Sequence, residues 1–357
     1  MSRRRFLSRS LLTVGGVAGA AAFSDLVAAC GGSSSSSAAP AGSSSSAAAA
    51  GSGTVAVQLS WIKNVEFAGS YIADSKGYYK ANGITANLIA GGPTASIEPT
   101  VVSGKALIGI NTPDATAAAV AHGAKLKIIG SMYQKSPFAL MSLASSPINT
   151  PQDLYGKKIG VQAANEPIWK TFLKANNLDA SKITKVPVQF DPTPLAQKQV
   201  DGWLSYVTNE PNLLKVKGVA THTFLFNDYN YPVFTNTYFV TAQTLADTAA
   251  RARVVSFMRG DIKGWQDSVK DSKLGAQLTV DTYGKSLGLD AAEQTLESAA
   301  ANQLIESADT QAHGLFWMTD ERINDTLKTL ATGGTKAAPD LFTRDILQEV
   351  YQGKNTV

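Results

Sequence analysis

The sequence predicts an α/β fold of two lobes, each a mostly parallel sheet flanked by helices, with a ligand cleft between the lobes and a helical C-terminal tail. Three observations carry this. Residues 54–357 are too many for one hydrophobic core, because single cores stop growing beyond roughly 250–300 residues. Strand and helix patterns alternate in two successive runs, as they do where parallel strands are covered by helices. From about residue 244 onward the apolar spacing is helical throughout.

In the first run, residues 54–60 alternate apolar and polar side chains and read as a strand. Residues 67–82 read as one helix closed by Gly83, 86–90 as a strand, and 97–103 as a helix stopped at Gly104. A strand at 106–110, a helix at 115–122 before Gly123 and a strand at 126–129 complete it. In the second run, Thr150-Pro151-Gln152-Asp153 marks a capped helical turn. Strands are expected at 158–162, 186–190, 202–207 and 221–226, with helices at 167–176, 194–199 and 211–217 between them. Residues 238–241 read as a strand returning to the first lobe, followed by helices at 246–270, 274–283, 291–305, 319–332 and 341–351. The expected lobes are 54–145 and 146–232, with 233–357 as the return and the C-terminal helices.

The residues ahead of this fold have a different character. Ser2-Arg3-Arg4-Arg5-Phe6-Leu7 places a basic cluster before a modestly apolar stretch, 11–22, rich in Gly and Ala. That stretch falls short of the roughly 20 apolar residues of a membrane span. It fits a secretory leader, residues 1–29, and its Arg pair resembles the twin-arginine export motif. The leader ends in Leu26-Val27-Ala28-Ala29-Cys30-Gly31, which resembles a bacterial lipobox: small residues before the scissile bond, then a thiol to carry the lipid. Lipidation at Cys30 and attachment to the outer face of the cell membrane are therefore expected. Cys30 is the single Cys of the chain, so the mature fold has no thiol for a disulfide, a metal site or catalysis. Residues 31–53 are almost wholly Ser, Ala and Gly, a composition too poor in apolar surface to order itself. As a coil they reach roughly 25 Å and read as a tether. The whole chain carries +4; without the four Arg and one Asp of the leader it holds 28 basic and 27 acidic residues, a net charge of +1. No nucleic-acid footprint is present.

A cleft between lobes, at the carboxyl ends of parallel strands, is the expected ligand site. Trp61 follows the first strand, and its flat ring suits stacking on a planar heterocycle; hinge or core packing is the other reading. Asn64 either hydrogen-bonds a ligand or caps the next helix, and Phe67 belongs to the cleft or to the core. Asn111 and Gln162 each end a strand and are polar candidates. Asn165 and Glu166 read as a helix cap, and Trp169 as packing. Trp203, in the strand 202–207, faces either cleft or core. His122, His222 and His313 have no metal-ligand spacing, and no metal or cofactor is expected.

The residues carry a family resemblance as well. Trp61-x-x-Asn64-x-x-Phe67-Ala68-Gly69-x-Tyr71-x-Ala73, followed by Gly77-Tyr78-Tyr79, resembles the opening of the thiamine-pyrimidine-precursor binding proteins, whose wider relatives bind nitrate, sulfonates, taurine or riboflavin. Gly91-Gly92, Ser103-Gly104-Lys105, Gly156-Lys157-Lys158-Ile159-Gly160-Val161 and Val200-Asp201-Gly202 leading to Thr208-Asn209-Glu210-Pro211 extend the match over about residues 54–240. The resemblance implies a periplasmic-binding-protein-like fold with two chain crossings, that is, type II. It also implies a monomer that hands a small molecule to the permease and ATPase subunits of an ABC importer. In such binders Tyr206 would stack on the ring and Glu210 would pair with its aminopyrimidine edge; the other reading of Glu210 is a charge favoured at a helix start, and Asn209 either caps that helix or joins the site. A yeast pyrimidine synthase shares this fold, and the resemblance implies that its chemistry needs a Lys and a His just after the third strand. Asn111 and Ala115 stand at those positions here, so binding without catalysis is expected. No Arg or Lys stands out at a strand end facing the cleft, as a sulfonate or nitrate would favour. A thiamine pyrimidine precursor is therefore the first expectation, a flavin-like ring the second, and an alkanesulfonate, taurine or nitrate the third.

Overall fold

The computed structural model describes residues 51–357; the leader, Cys30 and most of the tether lie outside the described residues. The strands are β1 Gly53–Gln58, β2 Ile84–Ile89, β3 Ile108–Asn111, β4 Leu126–Tyr133, β5 Phe138–Leu143, β6 Lys158–Gln162, β7 Thr184–Val188, β8 Gly202–Tyr206, β9 Thr221–Leu225 and β10 Thr235–Thr241. Helices α1 Ala68–Ser75, α2 Tyr78–Ala81, α3 Ile97–Val102 and α4 Pro113–Ala121 belong to the first run. Helices α5 Glu166–Ala175, α6 Thr193–Ala196 and α7 Glu210–Val216 belong to the second. The tail holds α8 Ala242–Ala246, α9 Thr248–Lys270, α10 Ser272–Leu278, α11 Ala291–Ile305, α12 Ala308–His313, α13 Asp320–Thr332 and α14 Asp345–Tyr351.

The strands form two sheets of matching design. The first has the order β2-β1-β3-β10-β4 and the second β7-β6-β8-β5-β9. Both are mixed rather than mostly parallel. β10 runs antiparallel to β3 and β4, and β5 runs antiparallel to β8 and β9. Each of these antiparallel strands is the first to follow a crossing from the other lobe. β5 is absent from the sequence reading because Phe138-Ala139-Leu140-Met141-Ser142 shows no alternation. All five residues are buried, as in an interior strand covered on both faces. The chain accordingly leaves the first sheet after Tyr133, earlier than the lobe boundary expected at 145.

One long helix read as continuous is broken. The stretch 67–82 splits into α1 and α2 at Gly77, which takes φ +72°, a left-handed conformation that glycine adopts at little cost. The helix expected at 246–270 forms as α9 and starts two residues later, because Asp247, whose side chain accepts from Ala250 N, caps it. The expected caps at Thr150 and Asp153 form a capping box around the turn Pro151–Leu154. α12 went unread, being a single short turn and a half behind Ser307.

The first sheet is covered on one face by α1, α9 and α14, with Tyr71, Trp265 and Leu347 in that core. Its other face is closed by α3, α4 and α13 through Ile97, Ala117 and Leu330. The second sheet packs Trp169 and Phe172 of α5 on one side and Leu195 of α6 and Leu214 of α7 on the other. α1 lies hard against α9, because Gly69 receives the Trp265 ring and Gly264 receives the Gly69 carbonyl; a Cβ at Gly264 would stand 2.0 Å from that oxygen.

One buried carboxylate fastens this layer. Asp261 of α9 accepts from the hydroxyls of Ser70 (2.6 Å), Tyr79 (2.6 Å) and Tyr238 (2.5 Å), joining α1, α2 and β10. Asp261→Ala strands three buried hydroxyls, each worth about 1–3 kcal/mol when left without a partner. A stability loss of about 3–5 kcal/mol is expected, read as a lower urea midpoint at unchanged slope. Asp261→Asn should recover part of it, and an unchanged midpoint in the alanine variant would refute the role.

Candidate functional site

The carboxyl ends of β1, β3, β6 and β8 meet at one cleft between the lobes. Ser60 and Trp61 follow β1, Asn111 and Thr112 end β3, Ala164 and Asn165 follow β6, and Tyr206, Asn209 and Glu210 come from β8 and the start of α7. Glu66 also lines the cleft, which is nearly closed: the space left for a water-sized molecule is about 30 Å³. Loops collect there because a parallel strand must release its chain at its carboxyl end before the next helix begins.

The lobes touch across this cleft. Ala164 N donates to Pro93 O at 2.8 Å at its edge. Asn209 Nδ2 donates to Glu297 Oε2 of α11 at 2.8 Å. The Tyr206 hydroxyl donates to Asn236 Oδ1 at 3.0 Å, and Asn236 Nδ2 donates in turn to Glu66 Oε1 at 2.8 Å. Asn236 sits at φ +52°, the left-handed region that asparagine tolerates better than most residues. Tyr206 is wedged edge-on between Tyr133 and Phe138, with centroids at 6.3 and 4.6 Å, so its ring has a fixed orientation.

Two carboxylates face the cleft without a cation. Glu66 accepts from Asn236 and, at 3.1 Å, from the Ser60 hydroxyl; burial nevertheless pushes its carboxyl up to about 7. Glu210 Oε2 accepts from Tyr206 N at 2.9 Å. Burial, with the charges of Glu66 and Glu293 adding to it, pushes Glu210 up to about 8. None of the residues lining the cleft is Lys or Arg. Among the described residues no group of three or more His, Cys, Asp and Glu is arranged to hold a metal ion. The arrangement offers an aromatic edge and two buried carboxyls raised from the ordinary glutamate range, each able to accept a hydrogen bond and, when protonated, to donate one.

The structure brings together five of the sequence candidates: Trp61, Asn111, Tyr206, Asn209 and Glu210. It places four elsewhere. Asn64 is buried behind the cleft, where it accepts from Glu66 N and donates to Glu297 at 3.1 Å, so it both caps a turn and holds a carboxylate. Phe67 lies in the core of the first lobe. Gln162 is buried and donates to Leu204 O at 3.0 Å, tying β6 to β8. Trp203 is in the second core, over Gly160, where a Cβ would come within 2.8 Å of its ring. Strand alternation explains that last case: Tyr206 heads for the cleft, and Trp203 packs beneath the sheet. Asn165 lines the cleft and bonds Gln162 at 3.0 Å instead of capping α5. Trp169 packs in the core as expected. Sequence reasoning missed Glu66, Asn236 and Glu297. A carboxylate in the loop after the first strand was the available signal for Glu66; nothing local marks the other two, which come from β10 and α11.

Comparison with known proteins agrees with this geometry. The chain is 25% identical over 230 residues to the riboflavin-binding protein RibY of Chloroflexus aurantiacus, covering 60% of this chain and 62% of that relative. It is 24% identical over 234 residues to a formylaminopyrimidine-binding protein of Halalkalibacterium halodurans, covering 63% of this chain and 70% of that one. The match thus spans about three-fifths of the length of the first relative. Among solved structures, the alkanesulfonate-binding protein SsuA of Xanthomonas axonopodis pv. citri, bound to MOPS, superposes with a TM-score of 0.59 at 15% identity, over 81% of this chain and 96% of that one. That likeness establishes the periplasmic-binding-protein-like fold. The family model described as NMT1/THI5 like matches residues 64–273, well over half of the chain, and the protein belongs to that family.

Proposed function

We propose that the protein is a solute-binding protein of an ABC importer and that its solute is a small amino-substituted heteroaromatic ring, with a thiamine pyrimidine precursor as first choice. The observation that carries this reading is the cleft lining itself: Trp61 and Tyr206 with the carboxyls of Glu66 and Glu210, and no basic side chain. An aminopyrimidine presents an amino group beside a ring nitrogen. A carboxylate accepts from both when the ring is protonated, and a neutral carboxyl donates to one and accepts from the other. Exclusion of water beneath Tyr206 strengthens either pairing. A sulfonate or nitrate would instead favour a cationic side chain, and the cleft lining holds none.

The relatives named above support binding rather than catalysis, and one of them favours a flavin as the second choice. Asn111 at the end of β3 and Ala115 in the first turn of α4 occupy the places where the family's synthase needs Lys and His. Closing of the lobes about the two crossings would bury the solute, and the importer would read the closed form.

Calorimetric titration with an aminopyrimidine, riboflavin and taurine separates the readings. Tight binding of taurine with no heterocycle bound would overturn the proposal. Glu210→Gln is expected to cost about 1.5–3 kcal/mol of aminopyrimidine affinity, the usual worth of a charge-assisted hydrogen bond, with a much smaller effect on thermal stability. Equal loss of stability at unchanged affinity would reduce Glu210 to a structural helix-start residue.

The leader supports export and lipid anchoring at Cys30 as part of the same proposal. Cys30→Ala is expected to move the protein from the membrane fraction to the soluble one at unchanged affinity. Arg3→Lys with Arg4→Lys is expected to block export through the twin-arginine route; normal export would assign the leader to the general secretory route.

A further inference from the structure

Behind the cleft the two carboxylates are joined by two more. Glu293 and Glu297 lie one turn apart on α11, and all four, Glu66, Glu210, Glu293 and Glu297, expose 5% or less of their surface. They come from both lobes, since Glu210 opens α7 and the others belong to the first lobe. Their hydrogen-bond donors are neutral: Asn64 and Asn209 to Glu297, Asn236 and Ser60 to Glu66, Tyr206 N to Glu210, and Gln294 to Glu293 at 2.5 Å and to Glu297 at 3.1 Å.

The charged and titratable neighbours are few. Asp290 and Lys217 face Glu293, while Tyr71, Tyr133 and Tyr206 face Glu66. Lys217 sits at the rim with its side chain half exposed, 3.9 Å from Asp191. Inside the cluster there is no positive charge. A second observation points the same way. Among the described residues, the buried hydroxyls of Tyr71 and Tyr133, which lie near Glu66 and Glu297, have no hydrogen-bond partner, nor does Glu293 Oε1. Polar capacity without partners, next to four carboxylates, is a site built for something that brings donors or charge.

We propose that the lobes close on positive charge at this cluster: protons fill it when no solute is bound, and a cationic group of the solute displaces them. The second half rests on the solute-binding reading above; the first half needs no solute. Four buried like charges cannot all ionise together, and parting the lobes lets water reach them. Burial holds Glu66 up to about 7 against its own hydrogen bonds; burial first, then repulsion from Asp290, holds Glu293 up to about 7, and burial first, then repulsion from Glu66 and Glu293, holds Glu210 up to about 8, against 4.5 for an ordinary glutamate. A carboxyl raised in the closed form takes up a proton on closing. Closing is therefore favoured as pH falls through 8 and 7, reaches its full gain near 4.5, and loses that gain as pH rises. A permanent cation competes with those protons, so its affinity runs the other way and tightens as pH rises.

The test uses the full chain with Cys30→Ala and two labelled positions, Thr94→Cys on the rim of the first lobe and Gln189→Cys on the second, both exposed. Without solute, energy transfer between the labels should rise as pH falls from 9 to 6. With Glu66→Gln and Glu297→Gln together, transfer at pH 9 should be higher than in the parent and its rise toward pH 6 smaller, Glu210 and Glu293 remaining to titrate. A flat response in the parent, or an identical response in the double variant, overturns the proposal. In calorimetry an N-methylated 4-amino-2-methylpyrimidinium should bind about tenfold more tightly per pH unit between 6 and 8 for each proton it displaces, while its unmethylated parent, which can bind carrying its own proton, should show a shallower dependence. A pH-independent affinity of the cation overturns the solute half. Failure of both probes to bind at any pH counts instead against the aminopyrimidine reading, and the solute-free measurement then decides the proton half.

Discussion

Asn236 holds the two lobes in register. Its backbone takes the left-handed conformation at the start of β10, just past the second crossing, and its amide spans the gap. The oxygen receives the Tyr206 hydroxyl from the second lobe and the nitrogen donates to Glu66 in the first. Both halves of the cleft wall are positioned through this one side chain. A residue kept in a sparsely populated conformation at such a point is a usual mark of a site where geometry matters more than local comfort. A second side-chain bond across the cleft, Asn209 to Glu297, shares the same logic: a neutral amide holding a buried carboxylate.

The wall is acidic and aromatic at once, which is an uncommon combination to bury. Aromatic rings exclude water, and exclusion of water makes carboxylates expensive unless something supplies charge or protons. Asp261 shows how the fold handles the problem elsewhere, with three hydroxyls on one carboxylate. The cleft is handled differently. Glu66 and Glu210 keep few donors of their own, and the amides that hold the cluster together bring no charge. The difference separates a carboxylate saturated by the scaffold's own hydroxyls from carboxylates left short of donors at the cleft.

Much of the scaffold was legible in the sequence because strand ends and glycine stops are local signals. The strand Lys158–Gln162 and the helix Ala291–Ile305 fall where the pattern puts them; Asn111 is a candidate from its place at a strand end, whereas Tyr206 and Glu210 are candidates through the family resemblance, and all three line the cleft. What escaped was non-local. β5 has no period of its own, since both faces are covered by other parts of the chain. Trp203 and Tyr206 differ by three positions in one strand, and only the packing over Gly160 settles which of them turns toward the core. Asn236 and Glu297 reach the site from segments 170 and 231 residues beyond Glu66, and no spacing rule announces such a meeting.

The matching sheet orders bear on how the chain is assembled. Every strand of the second sheet lies between residues 138 and 225. The first sheet is split: β4 pairs with β10 and not with β3, so it has no ladder partner until residues 235–241 exist. As the chain emerges from its N-terminus, β1, β2 and β3 can join, but β4 must wait for about a hundred further residues. The second lobe is thus the first to reach its complete strand set. It grows as an insert within an unfinished neighbour, and the first lobe closes around the strand that the second one hands back.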